Sequence, residues 1–315
     1  MRLFYRGENF DANFYYHAGV DIDNSFLLIS ETKKKTLLVP KLNERFARAK
    51  FRGQVLHFVN PFDILQKYIK GKTVFVDFCS LNAIMVKKLQ KICKLVDTSE
   101  ELMEGRAIKN ISEIDKIKQA VIHTREMFAS LDFKSAKTEQ DVAKQLLIKT
   151  IEMGLESAFE PIVSTDKNTA YPHSKPTNKK LGSFVLVDYG VKYQHYCSDM
   201  TRCFVLDGDR KKNQEYEKLK NVQQCICDEM PELKFGKEVT DLAHKLMKKA
   251  GFPDMIHSIG HGIGLEVHEF PRFGKKSVDI IKKTTMAIEP AFYTSKYGMR
   301  YENVIYFDGK KARIL

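Results

Sequence analysis

The fold is decided by one stretch in the middle of the chain, FVLVDYGVKYQHYCSDMTR at residues 184–202. Its first residues are strand formers, and the two-residue period of a strand places Asp188 on the same face as Phe184. A turn centred near Tyr193 is predicted to fold the chain back, with Asp199 opposite Asp188 on the neighbouring strand. The stretch therefore predicts a hairpin that brings two carboxylates together.

Two facing carboxylates need a physical explanation. Like charges that oppose each other destabilise a strand pair, and a carboxylate on an apolar face is costly unless it is compensated. A cation between Asp188 and Asp199 removes both costs. From this stretch alone a second interpretation stays open, in which one aspartate faces solvent and the other pairs with Arg202 or a nearby lysine.

Three histidines lie among glycines in the segment HSIGHGIGLEVHE at residues 257–269. A His-x-x-x-His spacing on a helix would indicate a zinc site, but the interspersed glycines disfavour a helix here. Glycine instead lets the backbone come close to another group. A single histidine is more often a satisfied core or surface residue, whereas three in one short segment, His257, His261 and His268, favour a functional site.

Two glutamates extend the pattern. Glu289 lies in AIEP at residues 287–290 and Glu302 in GMRYENVIYF at 298–307, both beside apolar runs with strand character. Glutamate is depleted from strands and is almost never buried without a partner. Either residue alone is compatible with the exposed end of a strand. Together with the two aspartates and His261, they form a set of five potential metal ligands.

These motifs resemble those of the pita-bread metallopeptidases, the group that contains methionine aminopeptidase, aminopeptidase P and proline dipeptidase. The resemblance covers about residues 105–308. It implies an α+β fold, with a C-terminal pita-bread (creatinase/aminopeptidase-like) catalytic domain and a smaller N-terminal α/β domain. It also implies a two-metal centre whose ligands are Asp188, Asp199, His261, Glu289 and Glu302.

The resemblance further implies roles for residues around the metals. Glu289, His173 and His268 are the expected catalytic residues, and the expected substrate contacts are His173, His257, His268, Arg272 and Arg300. Mostly oxygen ligands suit two divalent ions, Mn²⁺ or Co²⁺ in the first place and Zn²⁺ or Fe²⁺ as alternatives. A hydroxide that bridges the two ions would then attack the peptide bond.

The N-terminal third follows a different pattern from the rest. Between residues 24 and 96, short strand-like runs alternate with candidate helices, which predicts an α/β domain at 1–105. In the catalytic domain at 106–315, capping signals predict helices opened by Ser112-x-x-Asp115 and Thr138-x-x-Asp141. Predicted strands follow at 158–164, 183–190, 197–206, 255–269, 286–292 and 299–307. With an added N-terminal domain, the chain resembles the proline-specific branch of the pita-bread metallopeptidases. Members of that branch act on Xaa-Pro bonds in dipeptides or at the N-terminus of short peptides.

Composition narrows the class of protein. The chain of 315 residues has six cysteines without a Cys-x-x-Cys pair, and its 52 basic and 40 acidic residues give a net charge of +12. No disulfide framework, signal peptide or membrane span is predicted, which favours a cytoplasmic protein. Because the basic residues are dispersed in pairs and triplets, we expect solvated surfaces and no specific nucleic-acid partner.

The expected partners are short proline-containing peptides and a second copy of the chain in a homodimer. Methionine-aminopeptidase-like activity is an alternative if residues 1–105 leave room for long substrates. A non-catalytic pita-bread module that binds RNA or protein is another, and the net charge favours it. Such modules typically lose metal ligands, whereas all five positions are filled here.

Overall fold

The computed structural model describes all 315 residues, which form two compact units, Met1–Arg106 and Ala107–Leu315. Each unit has hydrophobic core clusters of its own. None of the helices combines the length and the apolar composition that crossing a membrane requires.

The first unit is built on one mixed sheet of six strands in the order β4-β3-β2-β1-β5-β6. Its strands are β1 (Arg2–Arg6), β2 (Ser25–Ile29), β3 (Lys35–Pro40), β4 (Gln54–Phe58), β5 (Thr73–Val76) and β6 (Lys94–Asp97). Its helices are α1 (Ala12–Ala18), α2 (Glu44–Lys50), α3 (Pro61–Ile69), α4 (Ala83–Gln90) and α5 (Ser99–Ala107). The α/β pattern predicted between residues 24 and 96 is confirmed, whereas β1 and α1 were not predicted.

Alternating side chains of this sheet enter two separate cores. Leu3 of β1 packs in one core with Leu65 of α3, and the next residue, Phe4, packs in the other with Phe14 of α1. Successive residues of a strand point to opposite faces, so both faces of the sheet are covered.

The second unit has four helices and several antiparallel sheets. The helices are α6 (Ile111–Ala129), α7 (Glu139–Glu152), α8 (Arg210–Glu229) and α9 (Gly236–Lys249). The first strands are β7 (Glu156–Ser157), β8 (Ile162–Thr165), β9 (Phe184–Asp188), β10 (Val191–Tyr193), β11 (Tyr196–Cys197) and β12 (Thr201–Val205). The later strands are β13 (Gly260–Gly262), β14 (Glu269–Arg272), β15 (Thr284–Ile288), β16 (Ala291–Tyr293), β17 (Gly298–Arg300), β18 (Asn303–Phe307) and β19 (Ala312–Ile314).

Three of the four sheets of this unit contribute to one hydrophobic core, the exception being β11-β10-β7. Their strand orders are β11-β10-β7, β12-β9-β8, β14-β13-β15-β18-β19 and β16-β17. Leu186 of β9 and Met286 of β15 are buried in the same cluster as Leu219 of α8 and Val239 of α9. The two long helices therefore hold strands from two sheets against a common core, and the ends of those strands lie close together.

Three local predictions were wrong: the start of helix α6, the strand at 255–269, and the strand pairing of Asp188 with Asp199. Helix α6 begins after Asn110, whose side chain caps Glu113 in a reciprocal capping box, and not at Ser112. The cap predicted at Thr138 is confirmed. The strand predicted at 255–269 is reduced to β13 and the first residue of β14, because the chain between them forms a loop closed by a hydrogen bond from Gly264 N to Glu266 O.

The predicted pairing of the two aspartates also differs from the structure. Asp188 lies opposite Thr201, and the chain between β9 and β12 forms a side hairpin of β10 and β11. Gln194 and His195, with φ angles of 47° and 70°, form its turn near the predicted position. Asp199 therefore reaches Asp188 from the loop before β12, and not from a paired strand position.

Gly190 allows this approach, and we expect Gly190→Ala to destabilise the second unit. An added Cβ would lie 1.9 Å from the carbonyl oxygen of Ser198. Overpacking against backbone costs roughly 1–3 kcal/mol or more, so denaturant unfolding should shift to lower concentration. Gly274→Ala is the matched control, because no heavy atom lies within 4 Å of its added Cβ. An unchanged unfolding midpoint for Gly190→Ala would contradict the expectation.

Candidate metal centre

Four of the five predicted ligands come from strand ends and strand breaks of the second unit, and the fifth, His261, comes from within a strand. Asp188 is the last residue of β9, and Asp199 lies between β11 and β12. Glu289 lies between β15 and β16, Glu302 between β17 and β18, and His261 in the middle of β13. All five line one cavity of about 460 Å³.

Three of these side chains are close enough to share one ion. Potential ligand atoms of Asp199, His261 and Glu302 all lie within 4.8 Å of one another. The shortest approach between the imidazole and the aspartate is 3.6 Å, from His261 Nε2 to Asp199 Oδ2. The other two carboxylates, of Asp188 and Glu289, both lie next to Arg300. Arg300 Nη2 donates to Asp188 Oδ2, and Arg300 Nε lies 4.0 Å from Glu289 Oε2.

The alternative interpretation of the two aspartates does not hold. Asp188 and Asp199 are 7% and 5% exposed, so neither faces solvent. The cation beside Asp188 is Arg300, whereas Arg202 donates to the carbonyl oxygens of Thr201 and Glu302.

The carboxyl groups are strongly perturbed because they are buried together. Burial first, and then the nearby charge of Glu302, hold the pKa values of Asp199 and Glu289 well above the usual range. Burial and the charge of Asp188 raise the pKa of Glu302 to about 7. Burial also raises the pKa of Asp188, although Arg300 acts in the opposite direction.

The cluster fits divalent cations in its chemistry as well as in its charge. One buried oxygen of Asp188 and one of Asp199, Oδ1 in each case, have no hydrogen-bond partner. A buried polar atom without a partner is costly, and a cation would satisfy both. Four carboxylates and one imidazole match the preference of Mn²⁺, Co²⁺, Fe²⁺ or Zn²⁺ for oxygen and nitrogen ligands.

His261 has the protonation pattern of a metal ligand. Its Nδ1 lies 3.1 Å from the carbonyl oxygen of Gly262, and a carbonyl can only accept, so Nδ1 carries the proton. Burial lowers the pKa of this imidazole to about 4, which keeps the ring neutral. Its Nε2 therefore presents a free lone pair towards Asp199, and a backbone carbonyl fixes the ring as in many metal sites.

Not all the predicted substrate contacts come together. His173, His268 and Arg300 line the cavity, and the ring centroids of His268 and His261 are 4.3 Å apart. His257 lies just behind it, with its Nδ1 3.9 Å from Glu289 Oε2, and lines a second cavity. Arg272 does not line the cavity, because its guanidinium pairs with Asp279 and stacks on Phe270.

Thr201 and Tyr293 are among the site residues that were not predicted from the sequence. Thr201 donates from Oγ1 to Glu302 Oε2 at 2.6 Å and accepts from Arg300 Nε at 2.9 Å. Tyr293 lies between Arg300 Nη1 and His257 Nε2, at 3.1 Å from each. Thr201 lies two residues after Asp199 in the stretch 184–202 that decides the fold, whereas no local pattern singles out Tyr293.

Comparisons with known proteins identify the family of the chain. Residues 115–308 match the model of metallopeptidase family M24. An Xaa-Pro dipeptidase of Pyrococcus furiosus is 28% identical over 316 residues, which cover 96% of this chain and 90% of that protein.

Solved structures show the fold. The X-Pro aminopeptidase of Thermotoga maritima has a TM-score of 0.90 and 24% identity, with 100% of this chain and 95% of that chain covered. The prolidase of Pyrococcus horikoshii has a TM-score of 0.87 and 26% identity, with coverages of 99% and 92%. The predicted pita-bread fold is confirmed, and the metallopeptidase match implies divalent metal ions.

The perturbed carboxyl groups make the stability of the metal-free protein depend on pH. Because their pKa values are higher than in the unfolded chain, the folded state binds more protons, and the free energy of unfolding falls as pH rises. His257 and His261, with pKa values lowered to about 4, act in the opposite sense only below their ordinary value of 6.5. Above that pH the carboxyl groups alone determine the sign.

We therefore expect chelation of metal ions to lower the melting temperature, by roughly 5 °C or more. The difference between metal-loaded and metal-free protein should widen from about pH 6.5 to about pH 8, because bound cations replace the lost protons. Differential scanning fluorimetry measures both effects, and chelator already saturated with Mn²⁺ is the control. An identical melting temperature after verified metal removal would refute the expectation.

Proposed function

Because the chain belongs to metallopeptidase family M24, we propose that it hydrolyses Xaa-Pro peptide bonds with a two-metal centre. The proposed ligands are Asp188, Asp199, His261, Glu289 and Glu302. The observation that carries the proposal is the convergence on one cavity of four carboxylates, three of them buried and that of Glu289 partly buried, with the Nε2 of His261.

Ions bound in this cavity would be held by the four carboxylates and by the Nε2 of His261. When bound, such ions supply a water molecule of lowered pKa and polarise the scissile carbonyl. Thr201 holds one oxygen of Glu302 in place by donating a hydrogen bond to it.

Glu289 is the group that moves the proton. Burial raises the pKa of its carboxyl group above the usual range, and the group lines the cavity beside the other proposed ligands. In this proposal it takes the proton of the attacking water and delivers it to the leaving proline nitrogen.

His268 stabilises the oxyanion, and His257 has a supporting role. His257 donates from Nδ1 to the carbonyl of Ser258, and its Nε2 faces Tyr293. Since Arg300 donates to the Tyr293 hydroxyl, the tyrosine proton goes to His257 Nε2. Both ring nitrogens of His257 are therefore occupied, which leaves His268 and His173 as the imidazoles of the cavity that can donate to substrate.

The cavity suits a short peptide with a proline side chain. Apolar walls are formed by Phe159, Pro161, Ile162 and Val267. Its volume of about 460 Å³ lies within the usual range of small-ligand sites. An Xaa-Pro bond has no N–H, so recognition depends on shape and on the peptide ends.

Lys175 is the proposed contact for a substrate carboxylate. Arg272 lies outside the cavity, and the guanidinium of Arg300 is already paired with Asp188. Lys175 also lines the cavity, is largely exposed, and pairs only with the exposed Glu160 at 3.0 Å. If the C-terminal carboxylate of the substrate replaces Glu160 beside Lys175, dipeptides are the favoured substrates. The proposal also includes longer peptides, because the chain is similar to an X-Pro aminopeptidase.

Metal-loaded protein should hydrolyse Leu-Pro or Leu-Pro-Pro at least about tenfold faster than Leu-Ala at equal concentration, because the apolar walls fit the proline ring. Product release measured by chromatography gives the rates, and chelated protein is the control. Cleavage of Met-Ala-Ser in place of the proline peptides would support methionine-aminopeptidase-like activity instead. No cleavage of any peptide, with salt-sensitive RNA binding, would favour the non-catalytic alternative.

Asp199→Asn should abolish turnover and raise the stability of the metal-free protein. The amide keeps the shape of the side chain but removes one of the mutually repelling charges, so the metal-free melting temperature should rise by a few degrees. Calorimetric Mn²⁺ titration should show at least a tenfold loss of affinity for one ion. Leu219→Ala, in the distant core, is the control for a purely structural change, and a wild-type rate for Asp199→Asn would rule out the assignment.

The nature of the ions, a cytoplasmic location and a homodimer stay predictions from the sequence.

A further inference from the structure

Helix α8 carries one polar residue in its buried face. Leu219, Val222 and Ile226 pack into the apolar core, and Gln223 among them is 0% exposed. Both ends of its amide are bonded: Nε2 donates to the carbonyl of Ile288, and Oε1 accepts from Asn303 Nδ2 at 2.7 Å. An apolar residue would fill this position without any need for partners, so the amide requires an explanation.

The two partners of Gln223 are neighbours in the sheet and in the site. Ile288 is the last residue of β15, Asn303 is the first residue of β18, and the register places them directly opposite each other. The residue after Ile288 is Glu289, and the residue before Asn303 is Glu302. Gln223 therefore contacts the cross-strand pair from which both glutamates leave the sheet.

The same network reaches the backbone of Glu302. Asn303 Oδ1 accepts from Arg202 Nη2 at 2.6 Å. Arg202 Nη1 donates to the carbonyl oxygens of Glu302 and Thr201, and its guanidinium lies 4.8 Å from the ring centroid of Tyr301. Side chains from a helix and two strands thus restrain the chain on both sides of Glu302.

We propose that Gln223 is a positioning residue for the metal centre. Its amide holds Ile288 and Asn303 in one arrangement, so that Glu289 and Glu302 present their carboxylates to common ions. The proposal rests on the proposed function, because it takes both glutamates as ligands. Small displacements of ligand-bearing backbone reduce metal affinity, because supporting contacts outside the ligand set orient the ligands.

The test is a Mn²⁺ titration of Gln223→Met, which keeps the size of the side chain and removes both hydrogen bonds. Isothermal calorimetry on the full chain, well below the melting temperature, gives the dissociation constant of each ion. We expect at least one constant to rise by tenfold or more. Val222→Ala, the adjacent residue of the same helix, loses core packing without touching the network and should keep both constants within about twofold of wild type.

The outcomes separate positioning from general destabilisation. If Gln223→Met binds both ions with wild-type constants, the proposal is overturned. If Val222→Ala weakens binding as much at an equal loss of melting temperature, the effect is one of stability and the proposal is also overturned. If Gln223→Met does not fold, Gln223→Asn, which keeps the amide on a shorter side chain, gives the same measurement.

The experiment also distinguishes failure of the proposed peptidase activity from failure of the positioning role. Wild-type protein that binds two ions but cleaves no Xaa-Pro peptide would remove the proposed activity and leave the positioning role standing, as long as the variant loses affinity. Wild-type protein that binds no divalent ion would overturn both.

Discussion

The burial of four carboxylates around one point is the constraint on which the second unit depends. Two unit charges about 4 Å apart repel by about 4 kcal/mol at an effective dielectric constant of about 20. A whole domain is stable by only about 5–15 kcal/mol, so four ionised groups with Arg300 as their one close cation would cancel much of that stability. The folded chain must carry either protons or cations here, which is why the pKa values of Asp199 and Glu289 are raised.

The strands of this unit are interrupted where the ligands are needed. The chain leaves β15 at Glu289 and Pro290, forms the small β16–β17 ribbon, and enters β18 after Glu302. Pro290 has no N–H and cannot continue the hydrogen-bond ladder of the sheet. Because the strand is broken here, the glutamate side chains need not alternate between the two faces of the sheet as in an unbroken strand. The broken ends are tied to other ligand-bearing segments, since Glu289 N donates to Ile259 O and Glu302 N to Thr201 O.

The sequence was sufficient for features that depend on residue type and local period. The alternation of strands and helices between residues 24 and 96, the cap at Thr138 and the grouping of the five proposed ligand residues in one cavity follow from such patterns. The cap at Ser112 failed because Asn110, two residues earlier, competes for the same role. The pairing of Asp188 with Asp199 failed because a side hairpin, invisible to strand periodicity, lengthens the connection.

Residues that support the site were harder to find than residues in it. A proposed metal ligand differs in type from the residues around it in the sequence, for example a glutamate beside an apolar run. Tyr293 is unremarkable in sequence, and the roles of Tyr293 and Gln223 depend on their partners in the folded chain, Arg300 and Asn303 respectively. A polar residue within an apolar helical stripe, as at Gln223, is the one local signal that separates such a residue from ordinary core.

The hydrogen bonds of Arg300 also decide how substrate is recognised. Its guanidinium donates to Asp188, Thr201 and Tyr293, so its donors are directed at protein groups. The arginine is buried, and binding a substrate carboxylate would require it to abandon Asp188 inside a low-dielectric site. Under the proposed function, recognition of the peptide would therefore fall to other groups that line the cavity, among them His268 and Lys175, while Arg300 stays paired with Asp188.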